Sequence, residues 1–294
     1  MTSSNNHSAS LSDYLRAWSL YLLPHHALSR LVLVATRCEV RWWKQALINL
    51  FRRRFAVNLN EAQQSDTRFF PSFNAFFTRA LRPETRPLAA AAGSIACPVD
   101  GRVSQAGMIE GDRIFQAKGR DYSLQELLGG DADLAARFAG GEFATLYLSP
   151  RDYHRIHMPL TGRLTETVYV PGRLFSVAPH TVNTVPRVFA RNERLVAVFE
   201  TEAGPMAMVL VGALFVACIE TVWAGVVTPP HGHRVRRTDY LDLPAVQLAR
   251  GAEMGRFNMG STVILLFGPQ RMHWEAGLSA GQPVRMGETI GRLA

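Results

Sequence analysis

The sequence predicts an α+β protein in which amphipathic helices over residues 1–65 precede a mostly β domain over residues 66–294, barrel- or sandwich-like with lipoyl-like hairpins. Three observations carry this. Up to Phe55, apolar residues recur at helical spacing among arginines. Beyond Phe69 they gather in short runs punctuated by Gly and Pro. The tail, Val284-Arg-Met-Gly-Glu-Thr-Ile-Gly-Arg-Leu293, has the spacing of a lipoyl-type half-barrel hairpin, with Pro98-Val-Asp-Gly-Arg-Val103 as its counterpart.

The first helix is expected over Leu11–Leu23, stopped by Pro24, and a second helical stretch over Leu28–Phe55, carrying Arg30, Arg37, Arg41, Lys44 and Arg52-Arg53-Arg54. Trp18, Trp42 and Trp43 stand among these cations, a combination suited to helices lying at a bilayer interface, where indole sits at headgroup depth and arginine meets lipid phosphate. The competing reading packs the same apolar stripes on the protein's own core. Short helices follow at Ser72–Thr78 and Leu124–Leu128. Strands are expected at Phe143–Leu148, Arg163–Val170, Leu195–Thr201, Met206–Phe215 and Thr262–Phe267.

With 294 residues, 47% of them hydrophobic, the chain can bury a full core. Its net charge of +8 points to an anionic partner. No nucleic-acid module or stacking pattern of aromatic and basic residues is present, so an anionic membrane surface is favoured over nucleic acid. Cys38, Cys97 and Cys218 are too few and too irregular for a disulfide framework and suit a reducing compartment. Met1–Ser10 is polar and reads as no secretory signal, and no apolar run reaches about 18 residues. A peripheral protein at the cytoplasmic face of the cell membrane is the expectation.

The chemistry centres on Arg256-Phe-Asn-Met-Gly260-Ser261-Thr262. Gly260 has no Cβ, so its carbonyl is the least shielded acyl group Ser261 Oγ could attack, and an N→O acyl shift becomes possible. The ester can then eliminate to dehydroalanine, which hydrolyses to a pyruvoyl group. Taken alone, the tripeptide is equally a polar start to a buried strand. Two further segments, Cys97-Pro-Val-Asp100-Gly-Arg-Val and Tyr153-His154-Arg-Ile-His157-Met-Pro-Leu-Thr-Gly162, together with Phe175-Ser-Val-Ala-Pro, Val211-Gly-Ala-Leu-Phe-Val and Glu253-Met-Gly-Arg-Phe, change that balance. In this order they resemble the phosphatidylserine decarboxylase proenzymes from about Phe69 to the C-terminus. One departure is Met259, where that family usually has leucine.

The resemblance implies self-cleavage at Gly260-Ser261 into residues 1–260 and 261–294, a pyruvoyl cofactor made from Ser261, no pyridoxal phosphate and no metal. It assigns Ser261 as nucleophile, His157 as its base, Asp100 as the group orienting His157, and His154 as the first choice for the acid of turnover, with His157 next. Phosphatidylserine would condense with the pyruvoyl group through its amine, lose CO2 and leave as phosphatidylethanolamine. The partners implied are phosphatidylserine, the membrane surface and the two cleaved chains with each other; a homodimer is compatible, and no nucleic acid is expected.

Bottom-up alternatives stand beside these roles. Asp100 before Gly101 also suits a turn. His154 and His157 have a metal-binding spacing, but Pro150 and Pro159 bracket them and no further ligand cluster completes a site. His231-Gly-His233 reads as a basic loop. Gly212 and Ala213 serve either strand packing or access to the prosthetic group, and Arg102, Arg155 and Arg163 are candidates for a phosphodiester. A lipid-directed Ser/His/Asp hydrolase without self-cleavage would use the same three residues, although no Gly-x-Ser-x-Gly elbow surrounds Ser261. A basic membrane-surface module would need only the helices.

Overall fold

In a computed structural model of the chain, residues 20–294 are described, apart from 118, 119, 216, 217, 230 and 260 and the side chain of Ser261. Most of the expected Leu11–Leu23 helix, Trp18, the end of the Val211–Ala217 segment and Gly260 therefore lie outside the described residues.

The second helical stretch is two helices, α1 (His25–Arg37) and α2 (Arg41–Phe55). Pro24 precedes α1, and Cys38 takes an extended conformation that breaks the run. Trp43 donates from its indole to the Ala35 carbonyl across this elbow (2.8 Å). At the far end Ala56 turns left-handed (φ 49°), and Arg52, Arg53 and Arg54 occupy the last turn, where cations complement the helix dipole. Helix α1 is amphipathic in an unusual sense. It buries His25, Ser29 and Thr36 beside Leu33, while Leu31 and Val34 face outward.

Residues Phe73–Phe77 form α3, opened by Ser72, whose hydroxyl accepts from the Ala75 amide (3.2 Å). Phe73, Phe76 and Phe77 make a small aromatic core with Phe70, Ile48 and Phe51, and Met259 packs on it. The N-terminal helices are thus joined by packing to Met259, the neighbour of Gly260 at the expected cleavage point.

The main layer is a nine-stranded antiparallel sheet. Its central strand, Ser261–Phe267, lies between Gly204–Val211 and Glu142–Leu148. Beyond Gly204–Val211 run Arg194–Thr201, Gly162–Val170 and Arg236–Asp239; on the other side run Gly101–Met108 and Pro283–Val284. Gln247–Leu248 also pairs with Gly162–Val170. Val263 to Phe267 are wholly buried, so this strand reads as a continuous apolar run where a half-exposed strand would alternate. Smaller sheets order Gly225–Thr228, Cys218–Thr221, Glu253–Asn258 and Arg155–His157, and Ser94–Ala96, Thr289–Leu293 and Met272–Trp274. The tail pairs within its expected counterpart, Val284 with Gly101, and just ahead of it, Arg292 with Ser94.

The strand expected at Met206–Phe215 ends at Val211. There the Gly212 amide donates to the Glu193 carbonyl (2.8 Å) and Asn192 donates to the Gly212 carbonyl (2.8 Å), drawing the chain out of the ladder. None of the described helices is long and apolar enough to cross a membrane.

Candidate active site

Three segments pass from the main sheet to the four-stranded sheet, and they pass side by side. Glu142–Leu148 leads to Arg155–His157, and Gly204–Val211 leads to Cys218–Thr221. Between them Glu253–Asn258 leads to Ser261–Phe267. Ser261 pairs with Leu148, and Thr262 with both Tyr147 and Val211. On the other side Asn258 pairs with Cys218, while the Phe257 amide donates to the His154 carbonyl (3.0 Å). The backbone is therefore clamped on both sides of 259 and 260. Within that bridge Met259 has φ 91°, a conformation that L side chains adopt only under restraint. Asn258, buried, holds the upstream end through Asn74, whose amide donates to its Oδ1 (2.7 Å).

The crossover from Leu148 to Arg155 carries the first histidine. His154 is fully buried against Phe77, ring centroids 4.1 Å apart. Its Nδ1 lies 2.8 Å from the Asp152 carbonyl and donates to it, so Nε2 is left as a lone pair, buried and without a hydrogen-bond partner among the described residues. Burial pushes its pKa down to about 3, the neighbouring Arg79 acting in the same direction. Arg79 is itself buried, with Nε and Nη1 unpartnered.

His157 ends the strand Arg155–His157. Its Nδ1 donates to the Gly251 carbonyl (2.8 Å), and Nε2 accepts from the Tyr153 hydroxyl (2.9 Å). Burial lowers its pKa, and raises that of Tyr153. The expected hydrogen bond from His157 to the Asp100 carboxylate is not formed. Asp100 instead takes Arg86 in a bidentate pair, with Nε at 2.9 Å from Oδ1 and 3.1 Å from Oδ2, and accepts from the Met286 amide (2.9 Å). Arg86 also reaches Glu61 (2.8 Å). A guanidinium fork satisfies a carboxylate better than one imidazole N–H, so Asp100 is held by Arg86 and His157 is oriented by a backbone carbonyl. Gly101 has a steric reason: a Cβ there would lie 2.3 Å from the Tyr147 carbonyl oxygen.

Two cavities meet at this place and share Ala56, Arg102, Ser149 and Arg151. One, about 310 Å³, is polar and reaches Asp100, Arg79, Arg86 and Tyr153. The other, about 950 Å³, has apolar walls from Val103, Ala117, Val177 and Val182, with Arg54 of α2 at its rim. Of the arginines expected to meet a phosphodiester, Arg102 lines both; Arg155 is held by Glu253 (2.8 Å) and the Thr78 carbonyl, and Arg163 borders neither cavity. Among the described residues His154 and His157 share no third metal-ligating group. Sequence reasoning missed Arg79, Arg86 and Gly251, which carry no local signal. Tyr153 stood within a quoted motif without a role.

The family model described as "Phosphatidylserine decarboxylase" matches residues 73–292, and one described as "PSD" matches residues 15–56. The chain is similar to the phosphatidylserine decarboxylase proenzyme of Pseudomonas aeruginosa, 59% identical over 96% of this chain and 98% of that one. It is also similar to the proenzymes of that name from Nitrosococcus oceani (56% identical, 96% and 92% covered) and Pseudomonas putida (58% identical, 92% and 95% covered). With a family model matched over most of the chain and relatives of that name similar along nearly its full length, the chain belongs to the phosphatidylserine decarboxylase family and is a decarboxylase.

Proposed function

We propose that this chain cuts itself between Gly260 and Ser261, turns Ser261 into a pyruvoyl group, and converts phosphatidylserine to phosphatidylethanolamine and CO2 at a membrane surface. The observation that carries the reading is the left-handed Met259, held between two sheets and next to Gly260, whose bond to Ser261 is to be cut. Clamped strands on both sides prevent this strain from relaxing, and an acyl shift relieves it. The same bridge suits the prosthetic group: it would head the buried strand, and the partnerless His154 Nε2 lies on the crossover that clamps it.

In maturation, His157 is the base. Donation from Nδ1 to Gly251 fixes the tautomer with its lone pair on Nε2, and the Tyr153 hydroxyl there supplies a path for the Ser261 proton. Asp100 supports the reaction by holding Met286, which belongs to the segment downstream of the cut, against the rest of the chain. That contact and the strand pair Val284 with Gly101 would keep the cleaved chains, 1–260 and 261–294, in one body.

In turnover, the pyruvoyl carbonyl would condense with the substrate amine and accept the electrons released with CO2. His154 is the acid that returns a proton to Cα, delivered from Nε2, which has no partner among the described residues. Substrate would lie along the joined cavities, headgroup among Arg79, Arg102 and Arg151 and its lipid end against Val103, Val177 and Val182.

The membrane face is supported by exposure. Val34 and Trp42 are each 71% exposed, and Leu31, Val40 and Leu50 are exposed with them, beside Arg30, Arg41 and Arg52–Arg54. An apolar face rimmed by arginine suits anionic lipid, and α2 leads from it to Arg54 at the cavity rim. Electrophoresis of purified protein with a phosphatidylserine decarboxylation assay tests the whole. Two chains and CO2 release are expected; a single active chain would remove the self-cleavage step, and two inactive chains the substrate assignment.

A further inference from the structure

His231 is the residue the sequence undervalues most. Its neighbour His233 is exposed, but the His231 side chain is only 5% exposed, with Nδ1 2.7 Å from Oε2 of Glu193, a carboxylate only 2% exposed. Glu193 Oε1 in turn accepts from the Tyr169 hydroxyl, which itself accepts from the Gly232 amide (2.7 Å). The third member comes from the opposite end of the chain. His26, in the first turn of α1, lies with its ring centroid 4.4 Å from that of His231 and donates from Nε2 to the Gly172 carbonyl (3.0 Å).

This leaves His26 Nδ1 and His231 Nε2 buried and without hydrogen-bond partners among the described residues. A ring nitrogen of each histidine and a Glu193 oxygen lie within 4.8 Å of one another. His26 already gives its other nitrogen to a carbonyl, the arrangement that orients a ligating histidine, and His231 Nδ1 faces the Glu193 carboxylate closely enough for both to be ligands of one ion.

We infer that His26, His231 and Glu193 form a site for a divalent transition metal of the zinc class, with one coordination position left open. Two imidazoles and a carboxylate select such an ion over magnesium or calcium, which take oxygen donors. Closing the three ligands onto a metal at about 2.0–2.2 Å needs only a small contraction of the cluster. The ion would fasten helix α1, with its outward apolar face, to the loop after Thr228 and to the residue whose carbonyl holds Gly212. It is a clamp between the proposed membrane face and the catalytic body, outside the decarboxylation chemistry, and it stands whether or not the proposed reaction does.

The test uses the full chain stripped with chelator, titrated with Zn2+ in a calorimeter and with Co2+ in an absorption cell, beside His26→Gln and His231→Ala. One equivalent should bind to the parent at micromolar or tighter Kd, with the visible band of low-symmetry Co2+ and a raised thermal midpoint. Both variants should weaken Zn2+ binding by at least tenfold and lose the band. His26→Gln keeps a polar side chain in the helix, so it decides the matter should His231→Ala fail to fold. Absence of a Co2+ band in the parent, or equal Zn2+ affinity in His26→Gln, would overturn the site.

Discussion

Lowering the pH should loosen this fold through His154 before most carboxylates titrate. A histidine whose folded pKa is depressed binds its proton in the unfolded chain first. Its contribution to stability is therefore complete above about pH 6.5 and drains away as pH falls towards about 3. Because His154 is fully buried and the unfolded histidine titrates near 6.5, protonation at pH 5 should cost about 2 kcal/mol relative to pH 7.5. Burial lowers the pKa of His25, His26 and His157 in the same direction, so the whole protein should be acid-labile by more than one histidine's share. The contribution of His154 is isolated by comparing Ser261→Ala protein with and without His154→Gln, both as single uncut chains. Urea midpoints of each at pH 7.5, 6 and 5 give the two pH dependences. The His154→Gln protein should lose about 2 kcal/mol less than its parent between pH 7.5 and 5. Equal losses would show that His154 accepts a proton in the folded state without penalty.

Three further outcomes follow from the site. His157→Ala should stay uncut, whereas His154→Ala should cut itself at least partly and decarboxylate about 10²-fold more slowly, as read by gel and by CO2 release; normal turnover of processed His154→Ala would move the acid role to His157. Gly101→Ala should cost about 3 kcal/mol by urea unfolding, because its Cβ would collide with the Tyr147 carbonyl, and an unchanged midpoint would mean the strand pair can spread. Binding to anionic vesicles should weaken with salt by about 1 kcal/mol for each of Arg52, Arg53 and Arg54 neutralised, and retain a salt-resistant part that Trp42→Ala reduces; flotation unchanged by these substitutions would place the anchor elsewhere.

Much of the sheet was legible because its strands are continuous apolar runs between turn formers, as at Ser261–Phe267 and Glu142–Leu148. The end at Val211 was not, because the group that stops the strand is the carbonyl of Glu193, distant in sequence. The same holds for the site. Asp100, His154 and His157 announce themselves in motifs, but their partners, Arg86, Asp152 and Gly251, are chosen by the fold. A triad template supplied an Asp100–His157 bond, and the nearby guanidinium outcompeted it. Helix α1 shows the converse limit: its periodicity gives a helix without telling which face is inside, and here the buried face is the more polar one.

The central claim is that the chain cuts itself at a strained bridge ahead of Ser261, and intact mass of the purified wild-type and Ser261→Ala proteins tests it most directly. The wild type should resolve into chains 1–260 and 261–294, the shorter with a mass matching a pyruvoyl terminus and no free amine, while Ser261→Ala remains one chain. A wild-type chain of full length, or a Ser261→Ala protein split at the same bond, would contradict the account.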